Sequence, residues 1–247
     1  MNLAVSGIVL KVNRSGESDR FCTILTGTHG VISAFARGAR NMKNKNSTAT
    51  AQFVYGSFEL FRRKDIYMID ESQYEELYTG LREDIFRLSV AQYLCQLTIE
   101  LVPDEQPAEE FLQLMRAALW YLAENKRHPL LVKAAAEMRM LSLAGYMPDL
   151  IMCQECGVYE HDLMYFMPES GMIRCGGCGA EPGERALRLG RGAMTALRHS
   201  IYADLKKLFA FSLSDRSLKE FSVAAEAFAL SKIEKSLTTL EFLHTMM

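Results

Sequence analysis

The chain has 247 residues, 49% of them hydrophobic and 23% charged, with a formal net charge of −2. That length and balance allow one large domain or two to three small ones, each with its own core, and exclude extended disorder. No apolar run approaches the ~18 residues needed to span a bilayer. The apolar start is broken by Ser6 and Gly7 and lacks a basic leader, so it reads as a strand and not as a secretory signal. A cytosolic protein is expected.

Charge is unevenly spread along the chain. Residues 1–64 hold ten Lys and Arg against three Asp and Glu, a net of +7, whereas residues 65–247 hold 18 against 27, a net of −9. A basic head on an acidic body points to a polyanionic partner for the head.

Residues 1–80 read as β. Runs rich in β-branched and aromatic residues recur at Leu3–Val12, Phe21–Leu25, Val31–Ala36, Phe53–Phe61 and Ile66–Ile69. Gly16, Gly27, Gly30 and Gly38 punctuate them, and Gly27 and Gly30 bracket a hairpin-like Thr28-His29. Five strands with no helical period between them predict a small barrel or sandwich. Between the third and fourth strands Arg37–Asn46 is basic and polar and runs into Ser47–Thr50, which predicts a mobile loop. Asp70-Glu71 and Glu75-Glu76 read as surface charge beyond the last strand.

From residue 81 the period becomes helical. Leu81, Ile85, Leu88, Cys95, Ile99 and Val102 form one stripe ended by Pro103; Phe111, Met115, Ala118 and Leu122 form a second. Leu131, Ala134, Met138 and Leu141 form a third, with Gly145 placed to cap it and Pro148 beyond. Helical spacing returns with Met194, Leu197, Ile201 and Leu208, then with Leu218, Phe221, Ala225 and Phe228, where Ser217 and Glu220 fit a capping box. Leu-Gly-Arg-Gly at 189–192 lacks the context of a phosphate loop and reads as a turn.

Between these helical stretches stand Cys153-Gln154-Glu155-Cys156 and Cys175-Gly176-Gly177-Cys178, eighteen residues apart. In each CxxC turn two thiols converge on one side, and two such turns face to face make a tetrahedron, the four-cysteine zinc pattern. Gly157 and Gly179 follow the pairs and permit positive φ, and Tyr165, Phe166 and Gly171 predict a small hairpin between them. Four Cys leave no open coordination position, so a structural zinc is expected. A redox dithiol needs only one CxxC, usually in a thioredoxin-like setting absent here. His161 lies between the pairs and reads as a surface residue. Cys22 and Cys95, among apolar neighbours, read as small buried side chains.

Small five-stranded barrels commonly bind single-stranded nucleic acid through a cationic groove and stacking aromatics. Lys11, Arg14, Arg20, Arg37, Arg40, Lys43, Lys45, Arg62, Arg63 and Lys64 are candidate phosphate contacts, with the Arg37–Lys45 loop favoured; its plainer account is a solvated loop. Phe21, Phe35, Phe53, Tyr55, Phe58, Phe61 and Tyr67 are candidate platforms, most of them expected in the core because a strand turns half its residues inward. No catalytic set emerges: the five histidines are scattered and no Gly-x-Ser-x-Gly elbow occurs.

Three stretches resemble the RecO family of bacterial recombination mediators. They are Gly145-Tyr146-Met147-Pro148-Asp149-Leu150 followed by Cys153-x-x-Cys156-Gly157; Tyr165-Phe166, Gly171 and Cys175-x-x-Cys178; and, in the head, Gly30 through Arg40. The resemblance implies an α+β multidomain protein. An N-terminal five-stranded OB-fold barrel at 1–80 would bind DNA. A helical domain would comprise 81–150 and 181–247, with a zinc module at 151–180 inserted. It implies no covalent catalysis. It further implies binding of single- and double-stranded DNA, strand annealing, and work with RecR to load the RecA recombinase. The acidic C-terminal tail of single-stranded-DNA-binding protein would dock on the helical domain. Under it Arg37, Arg40, Lys43 and Lys45 are DNA contacts, and Cys153, Cys156, Cys175 and Cys178 ligate Zn2+. Readings from other classes are a zinc-stabilised protein–protein adaptor without nucleic-acid binding and a zinc-ribbon factor acting on RNA.

Overall fold

The computed structural model describes residues 2–64, 66–181 and 183–246. The chain divides into two compact units, Met1–Glu124 with Thr239–Met247, and Asn125–Thr238. Their helices are α1 (Ile85–Leu101), α2 (Glu109–Ala123), α3 (Pro129–Leu143), α4 (Arg191–Tyr202), α5 (Asp215–Lys232) and α6 (Thr238–His244).

The first unit opens with β1 (Asn2–Ser15), β2 (Asp19–Thr26), β3 (Gly30–Ala36), β4 (Tyr55–Arg63) and β5 (Ile66–Glu76). They close into a barrel in the order β1-β2-β3-β5-β4. Strand β1 serves two partners, pairing through Asn2–Ile8 with β4 and through Gly7–Ser15 with β2, with a bulge between Val9 and Lys11. Strands β3 and β5 run parallel at Ala34–Tyr67 and Phe35–Met68. This is the OB-fold, and closure removes the free sheet edges. Val9, Cys22, Ile24, Ile32, Ala34, Phe58, Leu60 and Ile69 fill its core. Burial pushes the Cys22 thiol up to about 12 despite the nearby charge of Arg20, and also raises Cys95 in α1. Both thiols are inert packing groups.

Strand β5 is longer than its apolar residues indicate. The acidic residues read as lying beyond the strand are inside it. Register shifts opposite Glu59/Leu60 and Tyr55/Gly56 leave Asp70 and Glu75 as extra residues, while Glu71–Tyr74 and Glu76 pair with β4. The expected mobile loop is likewise a chain of turns. Ala39, Ala49, Thr50 and Phe53 are buried, Ala39 within the barrel core. Phe53 stands before β4 with φ 69°, and its amide donates to the Val9 carbonyl at the β1 bulge.

Asp84 caps α1, its carboxylate accepting from the amides of Phe86 and Arg87. The buried Arg87 reaches across to the last turn of α2 and donates to the carbonyls of Leu122 and Ala123, satisfying acceptors the helix leaves open. Helix α6 buries Leu240 and Leu243 and is pinned to α1 where the amide and hydroxyl of Thr239 both donate to Gln96 Oε1.

In the second unit α3 packs against α4 and α5, and a three-stranded sheet in the order β7-β6-β8 joins them. Its strands are β6 (Leu163–Met167), β7 (Met172–Cys175) and β8 (Leu187–Gly190). Helix α3 ends as the sequence predicts: Gly145 takes φ 91°, and the Tyr146 amide reaches back to the Leu141 carbonyl at 2.8 Å. Two local expectations are corrected. Residues 189–192 are a direct passage from β8 into α4, with Gly190 as N-cap. Helix α5 starts before the predicted box: its cap is Ser214, which accepts from the Ser217 amide, while Glu220 accepts instead from the Gly190 amide at 2.8 Å.

Among the described residues no helix is long and apolar enough to cross a membrane.

Candidate functional site

The two CxxC turns meet. The Sγ atoms of Cys153, Cys156, Cys175 and Cys178 lie within 4.8 Å of one another, with Cys156 and Cys175 at 3.6 Å. In a tetrahedron of zinc–sulfur bonds of about 2.3 Å the sulfurs stand roughly 3.8 Å apart, so the spacing suits a metal ion. The hairpin of β6 and β7 makes the meeting possible. Cys175 ends β7, and its amide donates to Cys153 Sγ at 3.3 Å. The first turn is tied down by Gln154, whose amide donates to the Ile173 carbonyl at 3.0 Å. Arg174 adds ion pairs to Glu155 at 3.1 Å and Glu181 at 2.5 Å.

Gly157 and Gly179 have φ 72° and 74°, as the spacing predicts. Their amides bond the carbonyls of Cys153 and Cys175 and thereby close the turns. Other amides point at sulfur. Burial works to raise the Cys153 thiol, but the amides of Cys156, Cys175 and Glu155 outweigh it and bring the group down to about 6. The Cys178 amide likewise lowers Cys175. Cys178 goes the other way, up to about 12, because bonding to Cys156 and Cys175 favours its protonated form. Four thiolates cannot share this space uncompensated, and a dication relieves the repulsion. His161 is outside the cluster; its ring bonds the backbone of Leu163.

Nine of the ten candidate cations of the barrel are exposed, Lys11, Arg14, Arg37, Arg40, Lys43, Lys45, Arg62, Arg63 and Lys64, and Arg20 is half-buried. They do not form one cluster. Arg62, Arg63 and Lys64 crown the β4–β5 hairpin, and Arg62 lies 5.8 Å from the centre of the Tyr67 ring. The Arg37–Lys45 group stands on the turn segment further along β5, where Asn46 Nδ2 donates to the Asp70 carbonyl and Lys45 pairs with Glu71 at 3.6 Å.

Asparagines build this segment, a role the basic character of the stretch conceals. Asn41 Oδ1 accepts from the Lys43 amide and Asn44 Oδ1 from the Asn46 amide, two Asx turns in series. Asn44 Nδ2 returns to the Arg37 carbonyl. The alternation of Asn with Lys is the signal for it in the sequence.

Two cations are spent on the scaffold. Arg20 braces Ser47 and Thr50 from below, and Arg40 donates to the carbonyls of Gly16 and Glu17. The side chains of Arg37 and Lys43 make no hydrogen bond or ion pair with another described residue. Of the aromatic candidates, Phe53, Tyr55 and Phe58 are buried and Tyr67 packs on the core; Phe21 and Phe35 are half-buried, and Phe61 is exposed.

An OB barrel with a basic turn segment, followed along the chain by helices and a four-thiol cluster, is the architectural class that the fold and site define. Comparison with known proteins makes the class specific. The family profile described as Recombination protein O N terminal matches residues 1–78, and that described as Recombination protein O C terminal matches 82–241. The chain belongs to the RecO family. It is 33% identical to the DNA repair protein RecO of Acetivibrio thermocellus, across 99% of this chain and 97% of the relative. It is 32% identical to that of Symbiobacterium thermophilum, across 98% and 96%, and 34% identical to that of Anaeromyxobacter dehalogenans, across 97% and 94%.

Proposed function

We propose that the chain is a non-enzymatic DNA-binding protein of recombinational repair that anneals complementary strands and helps load a recombinase on single-stranded DNA. The observation that carries this reading is the asparagine-built turn segment, which holds Arg37, Arg40, Lys43 and Lys45 as exposed cations on an OB barrel in a RecO-family chain. Cations on a fixed scaffold lose little entropy when they meet phosphate. Bound to two strands at once they lower the repulsion between them, so that bases can pair. Lys11, Arg14, Arg62, Arg63 and Lys64 extend the contact along the barrel.

In this reading DNA binding belongs to the domain at 1–80, and the segments 81–150 and 181–247 form a helical domain carrying the module at 151–180. RecR and the acidic tail of single-stranded-DNA-binding protein are its protein partners, and it works in the cytoplasm at the nucleoid. One Zn2+ is held by Cys153, Cys156, Cys175 and Cys178, whose donor set and spacing suit it. With four protein ligands the ion has no position for water or substrate and serves the fold.

The test is fluorescence anisotropy of a labelled single-stranded oligonucleotide at rising salt. About six to ten phosphate contacts weaken binding by roughly 10³–10⁵ between 50 and 200 mM salt. Absence of binding at low salt overturns the DNA role.

A further inference from the structure

The four clustered thiols are unequally sheltered. Cys153 and Cys175, the first residue of each CxxC turn, are 1% and 4% exposed, whereas Cys156 and Cys178, the last of each, face solvent. Glycines leave the second pair uncovered. Cys178 stands between Gly177 and Gly179, and Gly157 follows Cys156. A Cβ at Gly179 would meet no atom within 4 Å, and one at Gly177 or Gly157 would meet only a sulfur, at 3.8 Å. Arg174 beside them is committed to Glu155 and Glu181. Each exposed sulfur has a buried one of the other turn within 4.8 Å, and Cys156 has Cys175 at 3.6 Å. The remaining cysteines, Cys22 in β2 and Cys95 in α1, are buried.

We infer that Cys156 and Cys178 are oxidation sites for hydroperoxides, each closing a disulfide with the buried cysteine of the other turn. The inference rests on the reading of the four thiolates as the holders of one zinc ion. Metal binding keeps these cysteines deprotonated, and oxidation follows thiolate character and access. With hydrogen peroxide, the Cys156 thiolate attacks one oxygen: the S–O bond forms, the O–O bond breaks, and hydroxide leaves and is protonated to water. The Cys175 thiolate then attacks the sulfenic sulfur: the S–S bond forms, the S–O bond breaks, and a second hydroxide leaves as water. The two sulfurs lose two electrons, peroxide gains them, and two protons are consumed. Cys178 and Cys153 repeat the steps with a second peroxide. Two disulfides leave no thiolate to hold a dication, so the module at 151–180 gives up its ion, and a dithiol with zinc restores it.

The experiment treats the zinc-loaded full chain with hydrogen peroxide. Zinc release is followed with a colorimetric chelator; sulfenic acid trapped with dimedone, and the disulfides, are located by mass spectrometry. Dimedone is expected first on Cys156 and Cys178, disulfides as Cys156–Cys175 and Cys153–Cys178, and Cys22 and Cys95 unmodified. Cys156→His/Cys178→His keeps four zinc ligands but only buried thiols, and is expected to release zinc at least about tenfold more slowly. Zinc retained by the wild type under excess peroxide, label falling first on Cys153 or Cys175, disulfides within each CxxC turn, or a histidine pair as fast as the wild type overturns the proposal. Should the histidine pair fail to hold zinc, the position of the first label in the wild type decides. A wild-type chain that carries no zinc yet labels first at Cys156 and Cys178 overturns the zinc reading and leaves the oxidation sites standing.

Discussion

Arg116 on α2 donates a 2.6 Å hydrogen bond from Nη2 to Oε1 of Glu76, the last residue of β5. The same guanidinium lies 4.0 Å from the centre of the Tyr55 ring, and the Tyr78 hydroxyl donates to the other Glu76 oxygen. Burial pushes Glu76 up, but the bonds from Arg116 and Tyr78 outweigh it and hold the carboxyl below its ordinary range. A depressed carboxylate stabilises the fold above its unfolded value, near 4.3, and that contribution is lost as pH falls through the lower folded value. Glu76→Gln is therefore expected to cost about 1 kcal/mol at pH 7, discounted for partial exposure. The two proteins draw together as pH falls below the unfolded value and converge only beneath the folded one. Melting temperatures between pH 3 and 7 check this; parallel curves contradict it.

A second charged group is wholly interior. Lys133 on α3 is fully buried, with Nζ 2.7 Å from Glu137 Oε1 and 2.8 Å from Glu226 Oε2 on α5. Burial opposes its charge, but the two carboxylates outweigh that and keep the ammonium raised. Breaking a buried ion pair by removing one member costs about 3–5 kcal/mol. Lys133→Met is expected to cost that much in urea unfolding, and Lys133→Met/Glu137→Leu to recover a large part of it. A double variant as unstable as the single one would show that packing, and not the lost charge of Lys133, sets the loss.

Where burial and period coincide, the fold is legible in the sequence. The barrel strands announce themselves because inward residues such as Cys22, Ile24, Ile32 and Ala34 alternate with outward ones. The stripes of α2 and α3 are likewise buried at Phe111, Met115, Leu131 and Met138. Strand β5 escapes after Ile69 because the register shift at Asp70 breaks the alternation and its outward positions carry acids. The start of α5 escapes because Ser214 and Ser217 are both suitable caps. Only the fold decides between them, by drawing Glu220 to Gly190.

The candidate sites divide in the same way. The thiol cluster follows from local spacing, and the hairpin that closes it is marked by Gly171 at φ 74°. Cation identity is also local, but which cations are engaged is not. Arg20 bonds residues 27 and 30 positions away, and Arg40 residues 23 and 24 away.

Metal removal tests the cysteine module. Binding at four-thiolate sites supplies apparent free energy of roughly 10–16 kcal/mol near neutral pH, enough to fold a short segment. The purified chain is expected to release one equivalent of zinc to a colorimetric chelator after thiol modification. Cys153→Ser should lower both zinc content and thermal stability, whereas Cys22→Ser, in the barrel core, should leave zinc content unchanged. A soluble Cys153→Ser variant, zinc-free and melting like the wild type, contradicts a structural role.

The different engagement of the four loop cations predicts different effects of removing them. Arg37 and Lys43 hold nothing else in the described structure, whereas Arg40 closes on Gly16 and Glu17 and Lys45 lies beside Glu71. Arg37→Ala/Lys43→Ala is expected to weaken DNA binding without altering thermal stability, and to reduce the salt slope by about one for each phosphate no longer neutralised. Arg40→Ala removes two backbone bonds as well as a charge, so it should lower the melting temperature along with affinity. Lys45→Ala should weaken binding least, because Glu71 already offsets part of its charge. Glu71→Gln frees Lys45 and should strengthen binding most at low salt, where screening is weakest. Anisotropy at several salt concentrations, beside a melting curve for each variant, separates these outcomes. If Arg37→Ala/Lys43→Ala leaves both affinity and salt slope unchanged, the phosphates bind elsewhere on the barrel, with the Arg62–Lys64 hairpin the next segment to neutralise.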